Sequence, residues 1–365
     1  MDAAAALNPA MPGHALRAAA EARLGHVDSL RLVAAGLVLA QHLAEQAGGA
    51  LAGRITALAP GVVGVVLFFL VSGYVIPFSV RGGLAWRGFA VRRLLRIYPL
   101  LLAALALAGL GGWTGVLDHW ADLRGAGAAR WLANLLLVQD FVGVAPILGV
   151  TWTLAFELAW YGLFAVAVLA WRERAADILS AGVPAVLLVL AAGSLATGCR
   201  VPLGRPGLIH AAVLGYQAWR WRTGVCGARA FAWNLAAFVG VTWATAGVSF
   251  GLFSHARLTL WQVIGPWSLA LALFLAVIGL PALRSWALLE RGPLSRLGAA
   301  SYSVYLLHPI ALAAVRQHGP AGLGPVGFSG LALALTGALA LAGYRLVELP
   351  GIALGKRLTR AGLSR

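Results

Sequence analysis

The chain is short of charge. Only 11% of its 365 residues are Asp, Glu, Lys or Arg, against 61% hydrophobic, and its mean hydropathy is +0.84. A water-soluble domain carries about 25% charged residues, so a soluble globule is excluded and a polytopic membrane protein is indicated. Cysteine is scarce too. Cys199 and Cys226 are too few for a disulfide framework, and they fall on opposite sides of the topology derived below. The sequence holds no P-loop, no metal-ligand spacing and no nucleotide-binding glycine loop. It shows no repeat between its halves and no appended soluble domain of ordinary size. Residues 1–27 are Ala-rich with scattered Arg. They lack the compact apolar core of a signal peptide and are expected to form a cytoplasmic tail.

What is present is apolar sequence in long runs. Ten segments can be read, at about 30–48, 60–80, 94–112, 147–171, 178–198, 207–221, 231–253, 261–280, 299–317 and 328–349. Most are long enough for a hydrocarbon layer roughly 30 Å thick, the short sixth being the weakest. The expected fold is an all-α, polytopic transmembrane helix bundle of about ten helices. Its membrane domain covers 28–350, and 351–365 form a second cytoplasmic tail. With both termini cytoplasmic, 21 of the 28 Lys and Arg residues lie on the inner side, as the positive-inside rule requires. The net charge of +16 therefore reads as topology and attraction to membrane lipids rather than nucleic-acid binding.

The stretch from Val27 to His42 organises the rest. Arg31 opens the first apolar segment and His42 follows eleven residues later. That is about three turns, which puts both on one helix face roughly 16 Å apart. An ionisable group inside a membrane points to function, although His42 could equally tie two helices together. In the second segment, glycines and Ser72 permit close helix approach. At the cytoplasmic start of the third, Arg92, Arg93 and Arg96 suit either membrane anchoring or a phosphate group. Between the third and fourth segments, Trp113, Trp120 and Trp131 are expected as interfacial aromatics, and His119 beside Asp118 as solvated loop charge. His255 and Arg257 fall on a later outer loop.

Glu157 lies about ten residues, or 15 Å, into the fourth segment, near the bilayer midplane as His42 does. It must pair, protonate or reach water. Orienting His42 or Arg31 is one solution, and a structural salt bridge is another. In the ninth segment, Tyr302, Tyr305 and His308 form a polar stripe. Pro309 frees a carbonyl one turn earlier, which predicts a kink. Arg345 and Glu348, three apart in the last segment, are positioned to pair.

Taken in order, six pieces resemble the acyltransferase 3 family of membrane O-acyltransferases. They are Arg31 to His42, Phe68 to Tyr74, Arg92 to Pro99, Trp152 to Leu154 with Glu157 and Tyr161, Ser301 to Pro309, and Tyr344 to Pro350. The resemblance implies transfer of an acyl group, most often acetyl, from cytoplasmic acyl-CoA to a hydroxyl of a glycan or lipid-linked sugar. It makes Arg31 and His42 an essential pair and puts Arg93 and Arg96 on the donor side, where Arg92 is expected to join them; Glu157 is expected to orient or partner His42 or Arg31. Ser72, Trp152, Tyr161, Tyr302, Tyr305 and His308 are then candidates for the acceptor route. Acyl-CoA is implied as a co-substrate, with no tightly bound cofactor and no metal, and the enzyme would reside in the inner membrane. Gln41 stands where the family often has Tyr, and Trp160 where Phe is usual. The extracytoplasmic hydrolase-like domain of some members is missing, so acceptor handling falls to the bundle or to polysaccharide-assembly proteins. A glycolipid or small-acid transporter using the same polar seam, and a scaffold for polysaccharide export, are the alternatives.

Overall fold

The computed structural model describes residues 24–79, 86–253 and 258–361, and all regular structure among them is helical. The expected tail up to residue 23, Arg81, the loop pair His255 and Arg257, and residues 362–365 lie outside the described residues. Eleven of the described helices exceed ten residues. They are α1 (Gly25–Ala47), α2 (Pro60–Val75), α3 (Trp86–Thr114), α4 (Trp152–Trp171), α5 (Ala175–Thr197), α6 (Gly204–Arg222), α7 (Ala228–Ala246), α8 (Trp261–Gly279), α9 (Ser301–His318), α10 (Pro325–Gly343) and α11 (Leu349–Ala361). The first ten fall one for one on the apolar segments. In hydrocarbon every backbone N–H and C=O must be satisfied within the chain, and a helix does so locally.

The protein is a multi-pass integral membrane protein. Among the described residues seven stretches are long and apolar enough to cross a bilayer, or eight if Ala287–Gly298 and α9 count as one broken span. Ten crossings were expected, and two features account for the difference. Gly149–Thr197 counts as a single stretch although it holds both α4 and α5, joined by the short turn Arg172–Arg174. In α6, Arg205, His210, Gln217, Arg220 and Arg222 dilute the apolar sequence.

The described residues form two compact units. The first takes in α1 up to Ala34, Leu58–Trp86, and Phe156–Gly298. Within it α2, α5 and α7 surround α6, which is why α6 can carry polar groups: His210 and Gln217 are buried against protein. At the α2–α6 crossing, a Cβ on Gly73 would come within 1.8 Å of the Ala212 carbonyl oxygen, and one on Gly215 within 2.0 Å of that of Leu70. Small residues that let backbones touch are the common basis of helix association in membranes. Gly215→Leu should therefore cost about 3 kcal/mol or more, read as loss of folded protein in a denaturant titration in detergent. A variant as stable as the parent would refute this account of the crossing.

The second unit holds Ala35–Ala57, Arg87–Ala155, and the chain from Ala299. Leu39 and Leu43 of α1, Leu312 and Val315 of α9, and Phe328 and Ala332 of α10 form its apolar core. α9 runs on through Pro309 to His318 without a break. Trp120 is no interfacial aromatic. It is buried, and its indole N–H donates to the Ile147 carbonyl at 2.7 Å, because the loop folds back through a short helix, Ala128–Leu135. The segment after Pro350 is helical, as α11, and packs on α3.

Candidate functional site

α1 carries both Arg31 and His42. It opens with Asp28 in its first turn, where a carboxylate favours the helix dipole. Leu30, Ala34, Val38, Leu39 and Leu43 are buried along it. Arg31 lies 4.0 Å from Asp28, one turn back. At the other end, Gln41 donates to Glu45 at 2.7 Å, also one turn away.

α9 supplies the group that meets His42. Leu306, Leu307, Ile310, Ala311 and Leu312 bury this helix on several sides, and three polar side chains reach from it to different parts of the second unit. Tyr302 donates to the Ile97 carbonyl of α3 at 2.8 Å. The Tyr305 hydroxyl lies 2.7 Å from Thr153 Oγ1 and donates to the Val150 carbonyl at 3.0 Å. His308, wholly buried, lies with Nε2 2.7 Å from Nδ1 of His42, the rings within 16° of parallel.

Hydrogen-bond chemistry assigns the protons in that pair. His308 Nδ1 is 3.2 Å from the Val304 carbonyl oxygen, which can only accept. Nδ1 of His308 therefore carries its hydrogen, and Nε2 of the neutral ring is an acceptor. The bond between the rings must then run from His42 Nδ1–H to His308 Nε2, which leaves a lone pair on His42 Nε2. The outcome is a half-buried imidazole held in one tautomer, with its Nε2 lone pair unused by that hydrogen bond.

The arginine cluster lies at the start of α3. Arg92 Nε donates to Thr359 Oγ1 at 2.9 Å, and Arg93 sits over the Phe89 ring at 5.6 Å. Arg96 is half-buried, and among the described residues it has no hydrogen-bond or ion-pair partner. A guanidinium drawn toward apolar surroundings without a protein anion suits an anion that arrives with a ligand.

In the first unit, Glu157 accepts the hydroxyl of Tyr161, one turn on. Ser72 Oγ is buried there with no hydrogen-bond partner among the described residues. Trp152 is half-buried at the start of α4. Glu348 does not need Arg345 as its partner: it is buried and accepts from Ser303 of α9 at 2.7 Å. His119 stacks edge-on against Trp120. Among the described residues no three His, Cys, Asp or Glu side chains are grouped to hold a metal ion.

The structure thus brings His42, His308 and Tyr305 together, two of them first read only as acceptor-route candidates. The only sign of this in the sequence was that each histidine stands alone in an apolar run. The residues are 266 positions apart, and periodicity carries no information about pairing at that distance. The Val304 carbonyl and Thr359 were missed altogether.

A profile described as an acyltransferase domain, acyltransferase 3, matches residues 24–344. Exopolysaccharide production protein ExoZ of Rhizobium meliloti is 27% identical over 319 residues, covering 83% of this chain and 94% of that protein. Nodulation protein 10 of Rhizobium leguminosarum bv. viciae is 27% identical over 378 residues, 92% of this chain and 95% of that one. Acyltransferase MdmB of Streptomyces mycarofaciens is 33% identical over 156 residues, but the match spans only 39% of this chain and 38% of MdmB. No solved structure matches.

Proposed function

We propose that this chain, which belongs to the acyltransferase 3 family, moves an acetyl group from cytoplasmic acyl-CoA to a hydroxyl of an exported or cell-surface glycan. Both termini are cytoplasmic and the enzyme sits in the inner membrane. The observation that carries the reading is the His42–His308 pair, a buried device for holding one basic imidazole nitrogen ready. The name of ExoZ, similar along most of both chains, supports a polysaccharide acceptor.

In this mechanism the phosphates of acyl-CoA dock on Arg93 and Arg96, with Arg92, at the cytoplasmic mouth. The pantetheine arm brings the thioester to His42, which stands about 16 Å along α1 from Arg31. His42 Nε2 takes the proton of the acceptor hydroxyl as its oxygen attacks the thioester carbonyl. The tetrahedral intermediate collapses, the C–S bond breaks, and the departing sulfur takes that proton from His42 Nε2, so that coenzyme A leaves as the thiol and the imidazole is again neutral. Transfer through a transient acyl group on His42 is a variant with the same overall balance. Glu157, which accepts the Tyr161 hydroxyl, and Arg31 are assigned supporting roles in catalysis. Trp152, Tyr302 and Tyr305, all of the second unit, shape the acceptor's path.

The test is acetyl-CoA turnover in membranes carrying the protein, with free thiol and acetylated glycan followed together. Equal rates of the two support the reading. Glycan that moves across the membrane unmodified, without thiol release, would replace it with transport. Arg96→Ala adds a second check: KM for acetyl-CoA should rise about tenfold, as expected for one charge-assisted contact, with kcat little changed. An unchanged KM would remove Arg96 from the donor site.

A further inference from the structure

α11 lies beyond the matched part of the chain, which ends at residue 344, yet it reaches the donor-side arginines. Gly351, Gly355 and Thr359, spaced four apart on one face, are its buried positions, whereas Leu354, Leu358, Lys356 and Arg357 are exposed. The buried face lies on the Arg92–Pro99 stretch of α3. A Cβ on Gly351 would stand 2.6 Å from the Leu95 carbonyl oxygen and 2.9 Å from Pro99 Cγ. A Cβ on Gly355 would reach 3.4 Å from Leu95 Cβ and 3.5 Å from Arg92 Cα. Two glycines one turn apart thus bring the helices close enough for a short side chain to bridge them.

Thr359 makes that bridge. Its hydroxyl donates to the Gly355 carbonyl at 2.9 Å, and its oxygen accepts Arg92 Nε–H at 2.9 Å. The helix backbone uses the hydroxyl proton, so what Thr359 offers the arginine is a lone pair. Arginine has no acceptor atom and several donors set in one plane. Fixing Nε from inside the protein fixes the direction of that plane, which removes side-chain freedom that phosphate binding would otherwise have to quench.

We propose that α11 is part of the donor site and that Thr359 is a positioning residue, aiming the Arg92 guanidinium at the phosphates of acyl-CoA. The inference rests on the donor reading of Arg92 given above. It is tested on the full chain in membranes by measuring kcat and KM for acetyl-CoA in Thr359→Val, Thr359→Ser, Arg92→Ala, Arg92→Lys and the double variant Arg92→Lys with Thr359→Val. Valine keeps the packing and removes the acceptor, so KM should rise about tenfold, the worth of a hydrogen bond to a charged group, with kcat unchanged. Serine should restore the parent value. In the Arg92→Lys background, where no Nε exists, Thr359→Val should add nothing. Two results overturn the proposal while leaving Arg92 in the donor site: Arg92→Ala raises KM but Thr359→Val does not, or the effects of Arg92→Lys and Thr359→Val multiply. A KM that does not change in Arg92→Ala removes Arg92 from the donor site and the positioning role with it.

Discussion

Replacing His42 by alanine is expected to reduce kcat for acetyl transfer about 10²- to 10⁴-fold, the usual worth of a positioned general base, with protein level in the membrane unchanged. The expectation comes from the arrangement of protons around His42. The Val304 carbonyl fixes His308, His308 fixes His42, and the lone pair left on His42 Nε2 is the only product of that chain of bonds. Thiol release and product formation should fall together. A burst of thiol release ahead of product, in the native enzyme, would identify the acyl-carrier variant instead, since the acyl group would then rest on the imidazole between the two half-reactions. Normal turnover by His42→Ala would end the catalytic reading.

His308→Phe is the second large effect. Phenylalanine keeps an aromatic ring in a wholly buried site but offers no acceptor, so His42 Nδ1–H loses its partner and the ring its tautomer and orientation. A loss of about 10² in kcat is expected, with KM for acetyl-CoA unchanged because the arginines proposed to bind the donor are untouched. His308→Gln retains an acceptor and should recover part of the rate. Equal losses for Phe and Gln would show that ring packing, rather than the hydrogen bond, is what His308 contributes.

These two experiments also show what was legible in the sequence. Each apolar run became a helix because lipid leaves the backbone no other local solution. The position of His42 on α1 and of the tyrosines and His308 on α9 followed from spacing alone. Contacts did not. Depth alone left Glu157 free to orient His42 or Arg31 or to close a salt bridge, because depth is one coordinate of three. In the structure Glu157 holds Tyr161, and His42 holds another histidine. Trp120 was assigned to an interface because tryptophan usually belongs there, whereas a carbonyl turned inward at Ile147 gave its N–H a buried partner. The segment after Pro350 read as a tail because its charges interrupt the apolar pattern. Its glycines, which mark a close contact, have no periodic signature of hydrophobicity at all.

The attachments of α1 bear on the order in which the protein is assembled. Near its start, the ring and backbone N–H of His26 bind Glu290, at 2.6 and 2.9 Å, and the Ser29 hydroxyl donates to the Leu289 carbonyl at 2.7 Å. Near its end His42 binds His308. Both sets of partners lie more than 250 positions further along the chain. Such contacts close only after long stretches of chain have been ordered. α1 emerges from the ribosome before the other described helices, but it must wait in the bilayer with its polar groups unmatched until most of the protein has been inserted. The His42 imidazole therefore acquires its tautomer among the last events of folding, and a chain interrupted anywhere before α9 carries His42 without the ring it binds.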